Sequence, residues 1–257
     1  MTSLTRKKQA SPYEVFRNPS FSLLWAAQLV STAGGALSSL AASMLVYRLT
    51  DSALSVALMM LTSAVPTLVV GLIAGVYVDR YDRKRIMVAC EFSRGVLIFL
   101  VPFLLQYHIA WLYIIIAVTS AIGQFFDPAY ESVLPEVASE EQLTAANSLI
   151  AISTFGSTAI GFAASGLIAT IMPIEWAFYL DAFSYIFSAG CCLFVRIAPI
   201  TPQGPTAVAN VWRNLGDGLK FIFRSEILRS NMIELPRYAG MDQRALRELR
   251  SEPVKGP

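Results

Sequence analysis

The residues with the most chemistry in this chain are crowded into one short stretch, Gly75-Val-Tyr-Val-Asp79-Arg80-Tyr81-Asp82-Arg83-Lys84-Arg85. Four cations and two carboxylates occupy Asp79 to Arg85, between two long apolar runs. Such a cluster is kept out of hydrocarbon, where a central Arg or Asp costs about 2.5–3.5 kcal/mol on insertion scales, so it predicts a tight polar hairpin between two membrane spans. The spacing is Gly-x-x-x-Asp-Arg-x-x-Arg-Lys, with Gly75 at its head, and two roles fit it. The charges can be topogenic, holding the loop on one side of the membrane. Alternatively Asp79, with Arg80, Arg83 and Lys84, makes charge-assisted bonds in only one of two conformations and biases the equilibrium between them.

A second set of chemical groups lies inside the apolar runs. Glu91 and Arg94 are three apart, hence on one helix face, and Asp127 falls at similar depth in the next span. Ionisable residues inside a membrane mark either a functional site or a neutralised structural pair. Gln28, Ser31 and Thr32 in the first span and Gln124 in the fourth can line a solute path or bond a neighbouring helix. Ser157, Gly161 and Ser165 recur every fourth residue, the small-x-x-x-small stripe that permits close helix packing. Asp181 can be a cap or a cavity acid, with a structural role favoured, and Cys90, Cys191 and Cys192 read as buried thiols rather than a disulfide framework. His108, the single histidine, has no Cys or carboxylate beside it and predicts neither a metal site nor a base. With no nucleophile–base pair, phosphate loop or basic nucleic-acid patch, no enzyme, cofactor, metal or nucleic-acid partner is expected.

The elements that must hold these groups follow from composition. Of 257 residues, 55% are hydrophobic and only 15% charged, against about a quarter charged in a soluble domain. An all-α membrane protein of six spans is predicted, at about 21–47, 54–78, 86–106, 110–130, 145–171 and 176–195. Residues 86–130 are too many for one crossing, and Gln106-Tyr107-His108 provides the break between the third and fourth spans. Residues 1–20 form a polar N-terminal segment, 21–196 the bundle, 197–234 a linker whose residues 208–231 have an amphipathic helical pattern, and 235–257 a polar tail. The first apolar run, starting near Phe21, is too long for a signal-peptide core, so no cleaved leader is expected. Lys and Arg concentrate in the N-terminal segment, in the Asp79–Arg85 loop and after the sixth span, while Arg48 alone lies on the other side. By the positive-inside rule both termini face the cytoplasm of a multi-pass inner-membrane protein.

Several motifs carry a resemblance. The loop is similar to the signature Gly-x-x-x-Asp-Arg-x-Gly-Arg-Arg of the major facilitator superfamily, with Asp82 at the Gly position and Lys84 at the last Arg. Phe16-Arg17-Asn18-Pro19-Ser20-Phe21, Leu24-Trp25-Ala-Ala-Gln28, Thr50-Asp51-Ser52-Ala53, Phe126-Asp127-Pro128-Ala129, Leu134-Pro135-Glu136, Leu143-Thr-Ala-Ala146-Asn147-Ser148-Leu149 and Phe178-Tyr-Leu-Asp181-Ala182 resemble the branch that includes siderophore, macrolide and multidrug exporters. The chain departs from the Gly-x-x-x-Gly-Pro-x-x-Gly-Gly pattern of many antiporters, having Ser157, Phe162 and Ser165 where the opening Gly, the Pro and a later Gly would stand. The resemblance covers about residues 14–232 and implies the N-terminal six-helix half of a transporter that rocks about a midplane site. It implies ion-gradient-driven efflux of small amphipathic molecules, drug- or siderophore-like, with a proton as coupling ion. It favours the conformational latch for Asp79, Arg80, Arg83 and Lys84. A second six-helix half, or a homodimer partner, is then needed to close the cavity. The alternative is a truncated or frame-shifted half without transport of its own.

Overall fold

The computed structural model describes residues 12–78, 80–139 and 142–197. Asp79 and the predicted linker helix and tail lie outside the described residues. A 3-10 turn at Pro12–Arg17 leads into six helices: α1 (Pro19–Thr50), α2 (Ala53–Val78), α3 (Arg83–Leu105), α4 (Ala110–Val137), α5 (Leu143–Ile171) and α6 (Glu175–Phe194). All six are long and apolar enough to cross a membrane, and the described residues contain no strand.

Local chemistry explains where the helices begin and end. Asn18 has extended backbone and its side chain accepts from the Ser20 amide at 3.0 Å, while Pro19 takes the first helical position, where its missing N–H costs nothing. Asp51 ends α1 in the left-handed region (φ 48°), its amide returning to the Tyr47 carbonyl at 2.8 Å. Asp82 caps α3, accepting from the Arg85 amide at 3.1 Å. α4 runs past Glu131, where the charge pattern suggested a polar connection, and ends at Val137. Its apolar residues keep helical spacing, so Tyr130, Val133, Leu134 and Val137 are buried while Glu131 and Glu136 face outward. Pro66, Pro102, Pro128 and Pro135 lie inside α2, α3 and α4, whereas α5 and α6 contain no proline.

The helices pack in the order α5–α1–α6–α3–α4–α2. This order is a palindrome if α1 is matched with α4, α2 with α5 and α3 with α6. This is the neighbour order that two inverted three-helix repeats meeting at the α3–α6 contact would give. α2 and α5 stand at the tips of the row and bury least: 6% of the most apolar stretch of α2 against 50% of that of α1.

Two apolar layers fill the bundle. One, near the 80–82 loop, joins Phe21, Leu24, Met87, Phe126, Val133 and Cys192. The other, near the opposite end, joins Leu37, Val46, Ile98, Leu112, Ile168 and Phe178. Between the levels of these layers α1 contributes Ser31, α3 contributes Glu91 and Arg94, and α6 contributes Ser184 and Ser188, with Asp181 and Ser38 at the edge of the second layer.

Candidate functional site

The polar waist is assembled mainly by α3 and α6. Glu91 is fully buried and accepts from Arg94 Nη1 at 3.2 Å, the helical i,i+3 pair read from spacing. Arg94 Nη2 donates to the Tyr185 hydroxyl at 2.6 Å, and the guanidinium carbon lies 4.2 Å from the Tyr185 ring centroid. The guanidinium also packs over Gly123 of α4, where a Cβ would lie 3.5 Å from it. One side chain of α3 thus contacts both α4 and α6. Four residues before Tyr185, on the same face of α6, lies the buried carboxylate of Asp181. Ser38 of α1 donates to its Oδ2, and the Ser184 hydroxyl lies 3.3 Å from its Oδ1. α1 approaches this point closely, since any Cβ on Gly34 would collide with Ser184 and Asp181.

Two cavities adjoin the waist. The first, about 310 Å³, lies between α1, α4 and α5 and is lined by Gln28, Ser31, Thr32 and Asp127 together with Arg94 and Tyr185. The second, about 240 Å³, lies between α1, α2 and α4 and is lined by Ser38, Met59, Ile98 and Asp181, again with Arg94 and Tyr185. Arg94 and Tyr185 are therefore a shared floor. Tyr185 and Asp181 are the site residues that sequence reasoning missed or undervalued. Their signal was a helix-spaced pair of polar groups in a mainly apolar span.

The other predicted residues are placed as follows. Asp127 shares the first cavity with Arg94 but is exposed there, and it forms no ion pair with Arg94 or any other described residue. Gln28 donates to Thr32 at 3.4 Å, and its Oε1 is buried without a partner among the described residues. Gln124 lies against α2, its Oε1 3.0 Å from where a Cβ of Gly71 would be. Ser157, Gly161 and Ser165 are all buried on α5, and a Cβ on Gly161 would collide with the Ala33 carbonyl of α1. Trp25 Nε1 donates across the same α1–α5 contact to Ser153 at 2.8 Å.

The loop residues do a different job. Arg83 donates to Glu136 Oε1 at 2.7 Å and to the Ser132 carbonyl at 3.2 Å, both on α4. Lys84 Nζ donates to the Val195 carbonyl at the end of α6, at 2.9 Å. Arg80 is half-buried, and among the described residues nothing lies within 4 Å of a would-be Cβ on Gly75. Nearby, Asn18 Nδ2 donates to the Val137 carbonyl at 2.7 Å, and the Arg196 amide donates to Ser20 Oγ at 3.2 Å. The starts of α1 and α3 are thereby tied to the ends of α4 and α6 in one collar. Asp82, the departure from the family's glycine, is explained by its capping of α3.

A family model described as transmembrane secretion effector matches residues 10–237. The chain is 30% identical over 227 residues to YfiS of Bacillus subtilis, an uncharacterised MFS-type transporter, covering 85% of this chain and 53% of that protein. It is 30% identical over 230 residues to the multidrug efflux pump Tap of Mycolicibacterium fortuitum, covering 83% and 54%. Macrolide efflux protein A of Streptococcus pyogenes is 27% identical over 207 residues, covering 77% and 50%. The chain spans about half the length of these curated relatives. No solved structure matches it.

Proposed function

The chain belongs to the transmembrane secretion effector family of the major facilitator superfamily, and from that premise we propose that it carries small amphipathic molecules out of the cell, driven by an ion gradient. The observation that carries this reading is the polar waist. A buried Glu91–Arg94 pair, an acid on α6 and two cavities lie midway along six apolar helices. Charged groups at that depth are costly, and a solute or ion path is the common reason for keeping them. The efflux proteins among its relatives support the direction of transport.

A second six-helix unit completes the cavity, either a further half or a second copy of this chain. The thinly buried α2 and α5 support this, since they stand at the tips of the helix row. Asp79 and the loop cations act as a latch that is closed in one of two states, with a proton as the coupling ion. The clustered Lys and Arg support an inner-membrane location with both termini in the cytoplasm.

Expression in cells stripped of their own exporters tests the reading. Those cells should accumulate less of a radiolabelled macrolide, and a protonophore should abolish the difference. If the chain inserts but accumulation of every probe is unchanged, the chain is an inert half. Asp79→Asn is expected to insert normally yet export poorly; unchanged export by that variant rules out the latch. The mass of the detergent-solubilised protein distinguishes a homodimer from a monomer.

A further inference from the structure

Asp181 is the buried acid of the waist that no cation answers. Glu91 has Arg94 at 3.2 Å, but among the described residues Asp181 makes no ion pair. Arg94 is already committed to Glu91 and to the Tyr185 hydroxyl. Glu91, Arg94 and Asp181 therefore sum to one negative charge, and the unanswered carboxylate is fully buried, where a lone charge is costly. The oxygens around it are arranged for more than hydrogen bonding. Ser38 of α1 donates to Oδ2. The Ser184 hydroxyl has a single proton and two acceptors in reach, the Asp181 main-chain carbonyl at 2.7 Å and Oδ1 at 3.3 Å, and the shorter contact takes it. Ser184 Oγ and Asp181 Oδ1 then face each other through lone pairs, 3.3 Å apart. A cation that holds oxygens at about 2.4 Å and near right angles sets them about 3.4 Å apart. Gly34 of α1 lies against both atoms without interposing a side chain, since any Cβ there would collide with them. The approach is of the same chemistry: the smaller cavity, about 240 Å³, is lined by Ser38, Ser39, Ser63, Thr119 and Ser120 beside Asp181. Oxygen donors suit a hard cation, and one carboxylate balances one charge.

We infer that Asp181, Ser184 and Ser38 hold a monovalent cation, sodium, between α1 and α6, reached through the smaller cavity. The oxygen spacing is too narrow for the larger potassium ion. The sodium is separate from the coupling proton proposed above, and its site does not depend on the exporter reading. It ties α1 to α6 at the point where Gly34 lets the two helices approach.

The test is equilibrium binding of radioactive sodium to the full chain purified in detergent, with choline chloride holding the ionic strength constant. Sodium should bind saturably and be displaced by unlabelled sodium but not by equal potassium. It should also raise the thermal unfolding midpoint by about 5 °C over choline. Asp181→Asn should abolish both effects, and Ser38→Ala should raise the sodium Kd at least about tenfold. Equal midpoints in sodium and choline without saturable binding overturn the site, and so does undiminished binding by Asp181→Asn. A midpoint that follows pH but not sodium also overturns it, because a proton alone then answers Asp181. If Asp181→Asn fails to elute as the native species, Ser38→Ala and the sodium-over-potassium preference of the wild type decide the matter. The exporter reading is judged by the macrolide accumulation assay, so the two failures are separable.

Discussion

The collar beside the 80–82 loop and the waist at mid-membrane are both polar, yet they are built on opposite plans. In the collar, side chains reach backbone carbonyls at the ends of helices: Asn18 to Val137 and Lys84 to Val195. Those carbonyls are the unpaired acceptors every helix leaves at its C-terminus, where the helix dipole also favours a cation. Any donor of the right length serves, and each bond is worth little alone. In the waist, side chains meet side chains at buried or cavity-lining positions, Glu91 with Arg94, Arg94 with Tyr185, Ser38 with Asp181. Each partner there is specific, and removing one strands the other in a low-dielectric interior. One end of the bundle is fastened by many replaceable bonds, and its middle by a few that are not.

Substitutions can break this contrast, beginning where the expected effect is largest. Glu91→Ala leaves Arg94 without its counter-charge and should destabilise the purified protein by about 3–5 kcal/mol, measured by unfolding in detergent. Replacing Glu91 and Arg94 together with leucine should cost less than Glu91→Ala; an equal or larger loss would show that charge balance is not what holds the waist. Gly34→Val forces α1 away from Ser184 and Asp181, with an expected loss of about 1–3 kcal/mol, and a thermal midpoint matching wild type would refute that close approach. At the collar, a double-mutant cycle on Arg83 and Glu136, whose side chains are 22% and 29% exposed, should return a coupling of about 0.5–1 kcal/mol. Smallest of all, Arg85→Ala should leave the midpoint unchanged, because its 3.6 Å contact with Asp82 is made by a side chain 88% exposed. Collar losses that match the waist losses would erase the distinction.

The same contrast explains what could be read from the chain alone. Six spans and the loop between the second and third were legible because charge is excluded from long apolar runs, and that exclusion needs no tertiary knowledge. Glu91 and Arg94 were legible as a pair because they are three apart on one helix. Tyr185 and Asp181 were not, since the α3–α6 and α1–α6 contacts bring together residues far apart in sequence. The end of α4 was hidden for a related reason. Glu131 and Glu136 look like loop residues until Arg83 is found beside Glu136 and the intervening Val133 and Leu134 are seen in the core. Asp82 was noted as an oddity in a motif, and only the backbone of α3 shows it to be a cap.

The interior prolines have a mechanical consequence. Along the helix row, α3, α4 and α2 stand together and each has at least one proline within it, while α5, α1 and α6 have none beyond the first position of α1. A proline removes one backbone hydrogen bond and lowers the resistance of a helix to bending at that point. The bundle therefore pairs a stiff flank with a compliant one. When bilayer thickness or lateral pressure changes, the strain is taken up on the flank of α2, α3 and α4, which includes Asp127, while α1, α5 and α6 serve as the rigid frame against which it flexes.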